Sequence, residues 1–224
     1  MRPVESDDLQ GGERPPAFDA QFRSKLHELF AWRRDVRRFR RDPLPRGTLE
    51  QLIGEACLAP SVGFSQPWRF VVVDNRARRE QIAANFREAN QAALGEYAGE
   101  RKALYARLKL AGLEDAPAHL AVFADEATDV GHALGRRTMP ETVRYSAVAA
   151  VAQMSLAARA AGIGVGWISI LDPAAVAATL EVPSAWALIG YFCLGYPQEV
   201  SAQPELEREG WERRLAYSDL ILRR

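Results

Sequence analysis

Apolar residues recur every three or four positions near the start of the chain, which is the spacing of an α-helix with one apolar face. Phe22, Leu26, Leu29 and Phe30 follow this spacing. They predict a first helix that begins near Phe18 and runs into an arginine-rich segment.

Further along the chain, helical periodicity alternates with short apolar or β-branched runs. A second helix is predicted with Thr48 as its cap and Pro60 as its stop. The other predicted elements are strands over 69–74, 119–124, 164–171 and 185–194, and helices over 76–110 with breaks at Gly95 and Gly99, over 141–161, and over 173–181 with Asp172 as cap. This alternation predicts an α/β or α+β domain with a sheet covered on both faces, and it leaves strand order and direction open.

Composition limits the classes of protein that the chain can belong to. Its 224 residues, 48% of them hydrophobic, suit one domain, and its 29 basic and 29 acidic residues cancel. This balance argues against a protein that coats nucleic acid or an anionic membrane. Residues 1–17 predict a flexible polar arm without the apolar core of a signal peptide, and no stretch has the length and apolarity of a membrane span. We therefore expect a cytoplasmic protein.

Residues that commonly carry metal or redox chemistry are sparse and scattered. Cys57 and Cys193 have neither a disulfide framework nor a zinc-ligand pattern around them. His27, His119 and His132 lack metal-ligand spacing and are expected to be structural. The motifs of nucleotide hydrolysis and zinc proteolysis are absent from the sequence. No metal site is expected.

Six arginines lie within the nine residues 33–41, which we call the arginine segment. One explanation is a solvated basic face at a helix end, and the other is a phosphate site, because the guanidinium fork matches phosphate oxygens two at a time. Asp35 within the run favours the second explanation, since a carboxylate among so many cations should stay charged and is suited to steering a reaction.

Two further clusters combine glycine with polar side chains. In the loop of residues 59–70, Ser61, Ser65 and Gln66 offer hydrogen bonds and Gly63 permits close backbone approach, although an ordinary connector could hold the same residues. Around residues 162–169, the alternating glycines either allow tight packing or leave backbone open to a flat ligand, with Ser169 nearby.

Taken together, these clusters resemble the flavin-dependent nitroreductase family. The matching motifs are Arg-x-x-x-Arg at 33–37, Pro-Ser-x-x-x-x-Gln-Pro-Trp at 60–68, and Leu-Gly-Tyr-Pro at 194–197, and the resemblance spans about residues 18–217. It implies an α+β fold of the α/β/α sandwich type, with a central mixed sheet flanked by helices. Residues 18–224 would form a single flavin-binding domain, with 85–140 as a helical lid and 200–224 as a C-terminal arm.

A narrower resemblance is to one subgroup of that family, the 5,6-dimethylbenzimidazole synthases of the BluB type. It is carried by residues 33–39, by Gly63 with Phe64, and by residues 166–169. Asp35 stands where ordinary members carry a small hydroxyl residue, and Phe64 replaces an amide residue that commonly touches the flavin ring. The typical reductase site is therefore altered.

The narrower resemblance implies an oxidoreductase that uses reduced FMN as its substrate. With O2, reduced FMN would fragment to 5,6-dimethylbenzimidazole, the lower ligand of vitamin B12, and to erythrose 4-phosphate. The implied partners are a second copy of the chain, which completes the flavin site at the dimer interface, and a separate flavin reductase that supplies reduced FMN. Neither nucleic acid nor a membrane is implied.

The resemblance also implies roles for individual residues. Asp35 and Ser169 are expected to be catalytic, Asp35 as a general base and Ser169 by positioning the flavin ring. The expected flavin-binding residues are Arg33, Arg34, Asp35, Val36, Arg37, Ser61, Gly63, Ser169 and Arg213. Arg213 could equally belong to an exposed basic pair with Arg214.

Two other functions remain open on the sequence. The chain could be a conventional NAD(P)H-dependent nitroreductase or quinone reductase, in which the flavin survives many turnovers. It could also be a non-catalytic flavin carrier, which neither oxidises nicotinamide nor degrades flavin.

Overall fold

The structure, a computed structural model, describes residues 16–224. Its helices are α1 (Ala20–Trp32), α2 (Thr48–Ala56), α3 (Arg76–Glu96), α4 (Gly99–Arg107), α5 (Thr142–Ala160), α6 (Pro173–Leu180) and α7 (Glu205–Arg208). Its strands are β1 (Trp68–Val72), β2 (Ala118–Asp125), β3 (Gly164–Ile168) and β4 (Trp186–Gly195). The predicted helices and strands therefore follow one another in the expected order along the chain.

The four strands form one sheet in the order β1-β2-β4-β3, and each neighbouring pair is antiparallel. A parallel component comes from the arginine segment, where Asp35 forms an isolated parallel bridge with Val165 of β3. Val36 N donates to Val165 O at 3.0 Å. The arginine segment thus lies along the edge of the sheet, beside β3.

Helices cover both faces of the sheet and give two hydrophobic cores. On one face, α2 and α5 pack against the sheet, and Ala147, Ala150 and Met154 of α5 are fully buried. On the other face, α3 and α6 contribute Ile82 and Val176. The small side chains of α5 let this helix lie close to the sheet. The predicted α+β sandwich is confirmed.

Local capping chemistry explains where α6 begins. The predicted cap is confirmed, because the Asp172 side chain accepts hydrogen bonds from Ala174 N at 2.9 Å and Ala175 N at 3.4 Å. The prediction that Thr48 caps α2 is wrong. Thr48 is already helical, and the cap is Gly47, whose φ of 85° suits a residue without a side chain.

The predicted break at Gly95 is also wrong, because Gly95 lies inside α3. Nothing lies within 4 Å of the position that its Cβ would occupy. The cost of this exposed glycine is therefore only its helix propensity, about 1 kcal/mol, which a helix of 21 residues absorbs. The helix ends instead at Tyr97, whose backbone is extended, and the next helix ends at Arg107 rather than at Leu110.

The range 85–140, predicted as a lid, consists of several different structures. It includes the end of α3, all of α4 and the turns after β2, but also β2 itself, which lies inside the sheet and is almost entirely buried. The residues of β2 belong to the core, so a lid stays a prediction only for the parts outside this strand. Residues 1–15 of the predicted arm lie outside the described residues. Within residues 16–224, no helix is long and apolar enough to cross a membrane.

Candidate active site

Acidic partners divide the six arginines of the arginine segment into two groups. The neutralised pairs are Arg38 with Glu199 at 2.8 Å and Glu205 at 3.3 Å, Arg40 with Asp42 at 2.9 Å, and Arg41 with Asp115 at 3.0 Å. The other group is Arg33 and Arg34, which form no ion pair among the described residues, and Arg37, which pairs with Asp35 inside the segment. Arg33 and Arg34 therefore leave positive charge that is available to an anion.

Asp35 is held at both carboxylate oxygens. Its Oδ2 pairs with Arg37 Nε at 3.1 Å, and its Oδ1 accepts a hydrogen bond from Trp167 N at 2.7 Å. The side chain of Asp35 is 38% exposed, whereas that of Arg37 is 12% exposed. Within the described residues, Arg37 Nη1 is buried and has no hydrogen-bond partner. The pair thus combines a fixed, accessible carboxylate with a buried donor that still needs an acceptor.

Arg34 carries a second buried donor. Its terminal nitrogens donate to the carbonyls of Ala31, Arg33 and Ala202, while its Nε is buried without a partner in the described part of the chain. Burial lowers the pKa of Arg34, and the neighbouring cations Arg33 and Arg214 lower it further. An anion bound here would relieve this concentration of positive charge.

The alternating glycines of β3 are covered by the arginine segment. A Cβ on Gly164 would lie 2.8 Å from Val36 Cγ2, and a Cβ on Gly166 would lie 2.2 Å from Val36 O. The explanation by tight packing is therefore confirmed for these two positions, and the alternative of backbone left open to a flat ligand is wrong there. Val36, predicted to bind flavin, has its N–H bonded to β3 and its side chain against Gly164.

Trp167 links Asp35 to the end of β3. Its indole lies across Gly190, where a Cβ would be 2.1 Å from Trp167 Nε1, and it packs on Phe192 with ring centroids 5.1 Å apart. Ser169 is exposed and follows the last residue of β3 by one position. The bond from Trp167 N to Asp35 therefore brings the two predicted catalytic residues to the same edge of the sheet.

The loop containing Ser61 is organised by contacts within the chain. Ser61 Oγ accepts from Gln66 N at 3.1 Å, and Val62 N donates to Ser146 Oγ at 3.0 Å. A Cβ on Gly63 would lie 2.7 Å from Leu134 O, so the backbone that closely approaches this glycine is the protein's own. No hydrogen bond recorded for residues 16–224 joins this loop to the arginine segment.

Three side chains of that loop differ in exposure. Ser65, expected to offer a hydrogen bond to a ring, is 3% exposed, and its Oγ is buried without a partner among the described residues. Phe64 is 75% exposed and has a φ of 56°. Gln66 also has a positive φ, of 45°. Such conformations are costly for residues with side chains and concentrate at functional sites, which keeps this loop a candidate.

Arg213, which was predicted to bind flavin, lies beside α4 in the C-terminal arm. Arg213 is exposed and lines a groove with Glu100, Arg101 and Leu104 of α4. It is Arg214 whose charge acts on Arg34. The sequence could not separate these adjacent arginines, and it also gave no sign that the Trp167 N–H holds Asp35, because a backbone donor leaves no mark on residue type.

A sequence model described as the nitroreductase family matches residues 30–196. The chain belongs to the nitroreductase family. The match includes the arginine segment, the Ser61 loop and all four strands, and it ends before the C-terminal arm.

The chain is similar to two proteins named 5,6-dimethylbenzimidazole synthase. The one from Rhodospirillum rubrum is 57% identical over 89% of this chain and 94% of the relative, and the one from Rhodobacter capsulatus is 42% identical over 88% of this chain and 96% of the relative. A solved structure of iodotyrosine deiodinase bound to FMN and 3-iodo-L-tyrosine is 26% identical, with a TM-score of 0.67 over 79% of this chain and 91% of that chain.

Proposed function

We propose that this chain is a 5,6-dimethylbenzimidazole synthase that converts reduced FMN and O2 to 5,6-dimethylbenzimidazole and erythrose 4-phosphate, with the pyrimidine ring of the flavin released as a third fragment. The observation that carries the proposal is Asp35, fixed between Arg37 and the Trp167 N–H while part of its surface stays accessible. The 57% identity to a relative of that name supports it. A separate flavin reductase would supply the reduced FMN.

Two guanidinium nitrogens without hydrogen-bond partners suit the phosphate of FMN. Arg37 Nη1 and Arg34 Nε are buried donors without partners among the described residues, and a phosphate oxygen is the acceptor that suits them best. Arg33 adds charge beside Arg34. Binding energy gained at the phosphate would fix the rest of the substrate relative to Asp35, which is how contacts remote from the reacting atoms assist a reaction.

Asp35 is proposed as the general base. Reduced FMN, when bound, supplies the electrons that O2 accepts. Because both oxygens of Asp35 accept hydrogen bonds from fixed donors, its carboxylate stays oriented and can take a proton from bound substrate with little reorganisation. Ser169 is proposed to position the ring through its hydroxyl, and Ser61, Gly63 and Val36 to contact the flavin from their loops.

The site is proposed to be completed by a second copy of the chain. Helix α1 has no buried residue, yet Phe22, Phe30 and Trp32 on it are 44%, 52% and 41% exposed. Apolar side chains on a helix that covers no core of its own are typical of an interface. Sedimentation velocity should therefore give the mass of a dimer.

The test mixes the purified protein with reduced FMN in air and follows the products by mass spectrometry. The wild type should form 5,6-dimethylbenzimidazole. Asp35→Asn should form it about a hundredfold more slowly while still binding FMN, because the amide oxygen can still accept from the Trp167 N–H but the side chain can no longer take a proton. Asp42→Asn is the matched control, since Asp42 pairs with an arginine two residues away but is exposed, and it should leave the rate unchanged.

Each other outcome points to another function. If intact oxidised FMN is returned, the synthase proposal is wrong. Rapid oxidation of NADH or NADPH by the flavin-loaded protein would then indicate a conventional reductase, whereas tight FMN binding without either reaction would indicate a carrier.

A further inference from the structure

Helix α4 cannot be stable by itself. It has nine residues, no side chain caps its N-terminus, and Tyr105 is its buried residue. Helices of this length are marginal in water unless tertiary contacts support them. The stability of α4 therefore depends on what Tyr105 and its neighbours contact.

Those contacts converge on Trp211 of the C-terminal arm. The rings of Tyr97 and Tyr105 stack with centroids 4.9 Å apart, and Trp211 meets Tyr97 edge-on at 5.5 Å. The guanidinium of Arg101 lies over the Trp211 ring at 4.8 Å and donates to Trp211 O at 2.8 Å. Tyr105 also donates from its hydroxyl to Asn90 of α3 at 2.8 Å. Trp211 thus joins the C-terminal arm to α4.

The residues that follow α4 in the chain support one side of the arginine segment. Gly112 has no room for a side chain, because its Cβ would lie 2.3 Å from Phe39 Cε2. Asp115 pairs with Arg41 at 3.0 Å, and the hydrogen bond to Arg41 lowers the pKa of Asp115. A movement of α4 would therefore reach Phe39 and Arg41 through residues 108–115, which follow it in the chain.

Residues 198–205, which lead into the C-terminal arm and begin it, support the other side of the same segment. Gln198 N donates to Arg38 O at 3.0 Å, and Gln198 Nε2 donates to Phe39 O at 2.8 Å. Glu199 and Glu205 both pair with Arg38. The arginine segment is thus held between two parts of the chain, and these two parts meet each other at Trp211.

We propose that Trp211 is a positioning residue. By joining α4 to the C-terminal arm, it connects the two parts of the chain that hold the arginine segment, and it thereby sets the conformation of that segment for phosphate. The inference rests on the proposed function, because it takes FMN as the ligand that the arginine segment binds. A cavity of about 210 Å³ lies between α3 and residues 108–114, and an open groove of about 580 Å³ lies between α4 and Trp211. Local opening at α4 is therefore cheaper than opening of the sheet.

The experiment measures amide hydrogen exchange of the ligand-free protein and its affinity for oxidised FMN. Trp211→Ala should raise exchange in residues 97–107 about tenfold and weaken FMN binding about tenfold. Trp211→Phe keeps an aromatic ring and should restore most of both. Trp186→Ala is the control for a general loss of stability. Trp186 also has an arginine over its ring, Arg69 at 5.8 Å, but it does not belong to the contacts between α4 and Trp211.

Unchanged exchange in α4 of Trp211→Ala would overturn the proposal. So would faster exchange with undiminished FMN affinity, or an equal effect of Trp186→Ala on both readouts. Neither readout requires turnover. If the wild type formed no 5,6-dimethylbenzimidazole while both readouts changed as expected, the synthase function would be lost and the role of Trp211 would stand.

Discussion

Arg37 and Arg40 form the same pair at two places along the arginine segment, each through its Nε and an aspartate two residues away. The side chain of Arg37 is 12% exposed and that of Arg40 is 55% exposed. Arg37→Lys should weaken FMN binding about tenfold, because lysine lacks the fork that can serve Asp35 and phosphate together. Titration by flavin fluorescence checks this. Arg40→Lys should bind FMN as the wild type does, and equal losses in both variants would contradict the assignment.

At the residue scale, the sequence identified side-chain chemistry better than backbone chemistry. The arginine segment and Asp35 could be selected because charge density is visible in the sequence, whereas the choice of Arg33, Arg34 and Arg37 within the segment came from the family resemblance. Gly164 and Gly166 could not be interpreted in advance, since the atoms that fill their missing side chains belong to Val36, more than a hundred residues away. Which atoms lie against a glycine depends on the tertiary structure, and the periodicity of the sequence does not show it.

Helix α6 gives a prediction at the scale of an element. Asp172→Ala removes the acceptor for two backbone N–H groups and should lower the free energy of unfolding by about 1 kcal/mol, measured by urea denaturation. Asp172→Asn should keep most of that stability, because an amide oxygen also caps a helix. The interpretation fails if the alanine variant is as stable as the wild type.

Elements were predictable where local chemistry determines them. The cap of α6 and the apolar runs of β2 and β4 are set by neighbouring residues in the sequence, and they were found where predicted. The end of α3 was not found where predicted. It depends on the packing of Tyr97 against Tyr105 and Trp211 rather than on the low helix propensity of Gly95. A weak propensity is overridden by packing, which the sequence of one helix does not show.

At the scale of the whole molecule, strand order was inaccessible because β-pairing joins distant residues. One such pairing places His119 of β2 beside Cys193 and Tyr191 of β4. Ala116 O can only accept, so His119 Nε2 donates to it at 3.2 Å and Nδ1 accepts from the Tyr191 hydroxyl at 2.9 Å. Burial raises the pKa of Tyr191, so this pair is neutral.

Burial lowers the pKa of His119 from 6.5 to about 4. The unfolded chain therefore takes up a proton below about pH 6.5, whereas the folded chain resists until about pH 4, so the free energy of unfolding falls as pH decreases through this window. The loss should reach about 3 kcal/mol. Urea denaturation of His119→Gln should show a correspondingly flatter dependence on pH. His27→Gln, on the exposed face of α1, should keep the wild-type slope, and a change there equal to that of His119→Gln would refute this explanation.

The indole of Trp167 occupies the space where Gly190 would carry a side chain. Substitutions at these two positions can therefore be accepted in only one order. A methyl group at position 190 is harmful while tryptophan stands at 167, but it fills a void once a smaller residue has replaced that tryptophan. A lineage can thus acquire alanine at 190 only after it has given up Trp167, and with it the ring that lies two residues before Ser169.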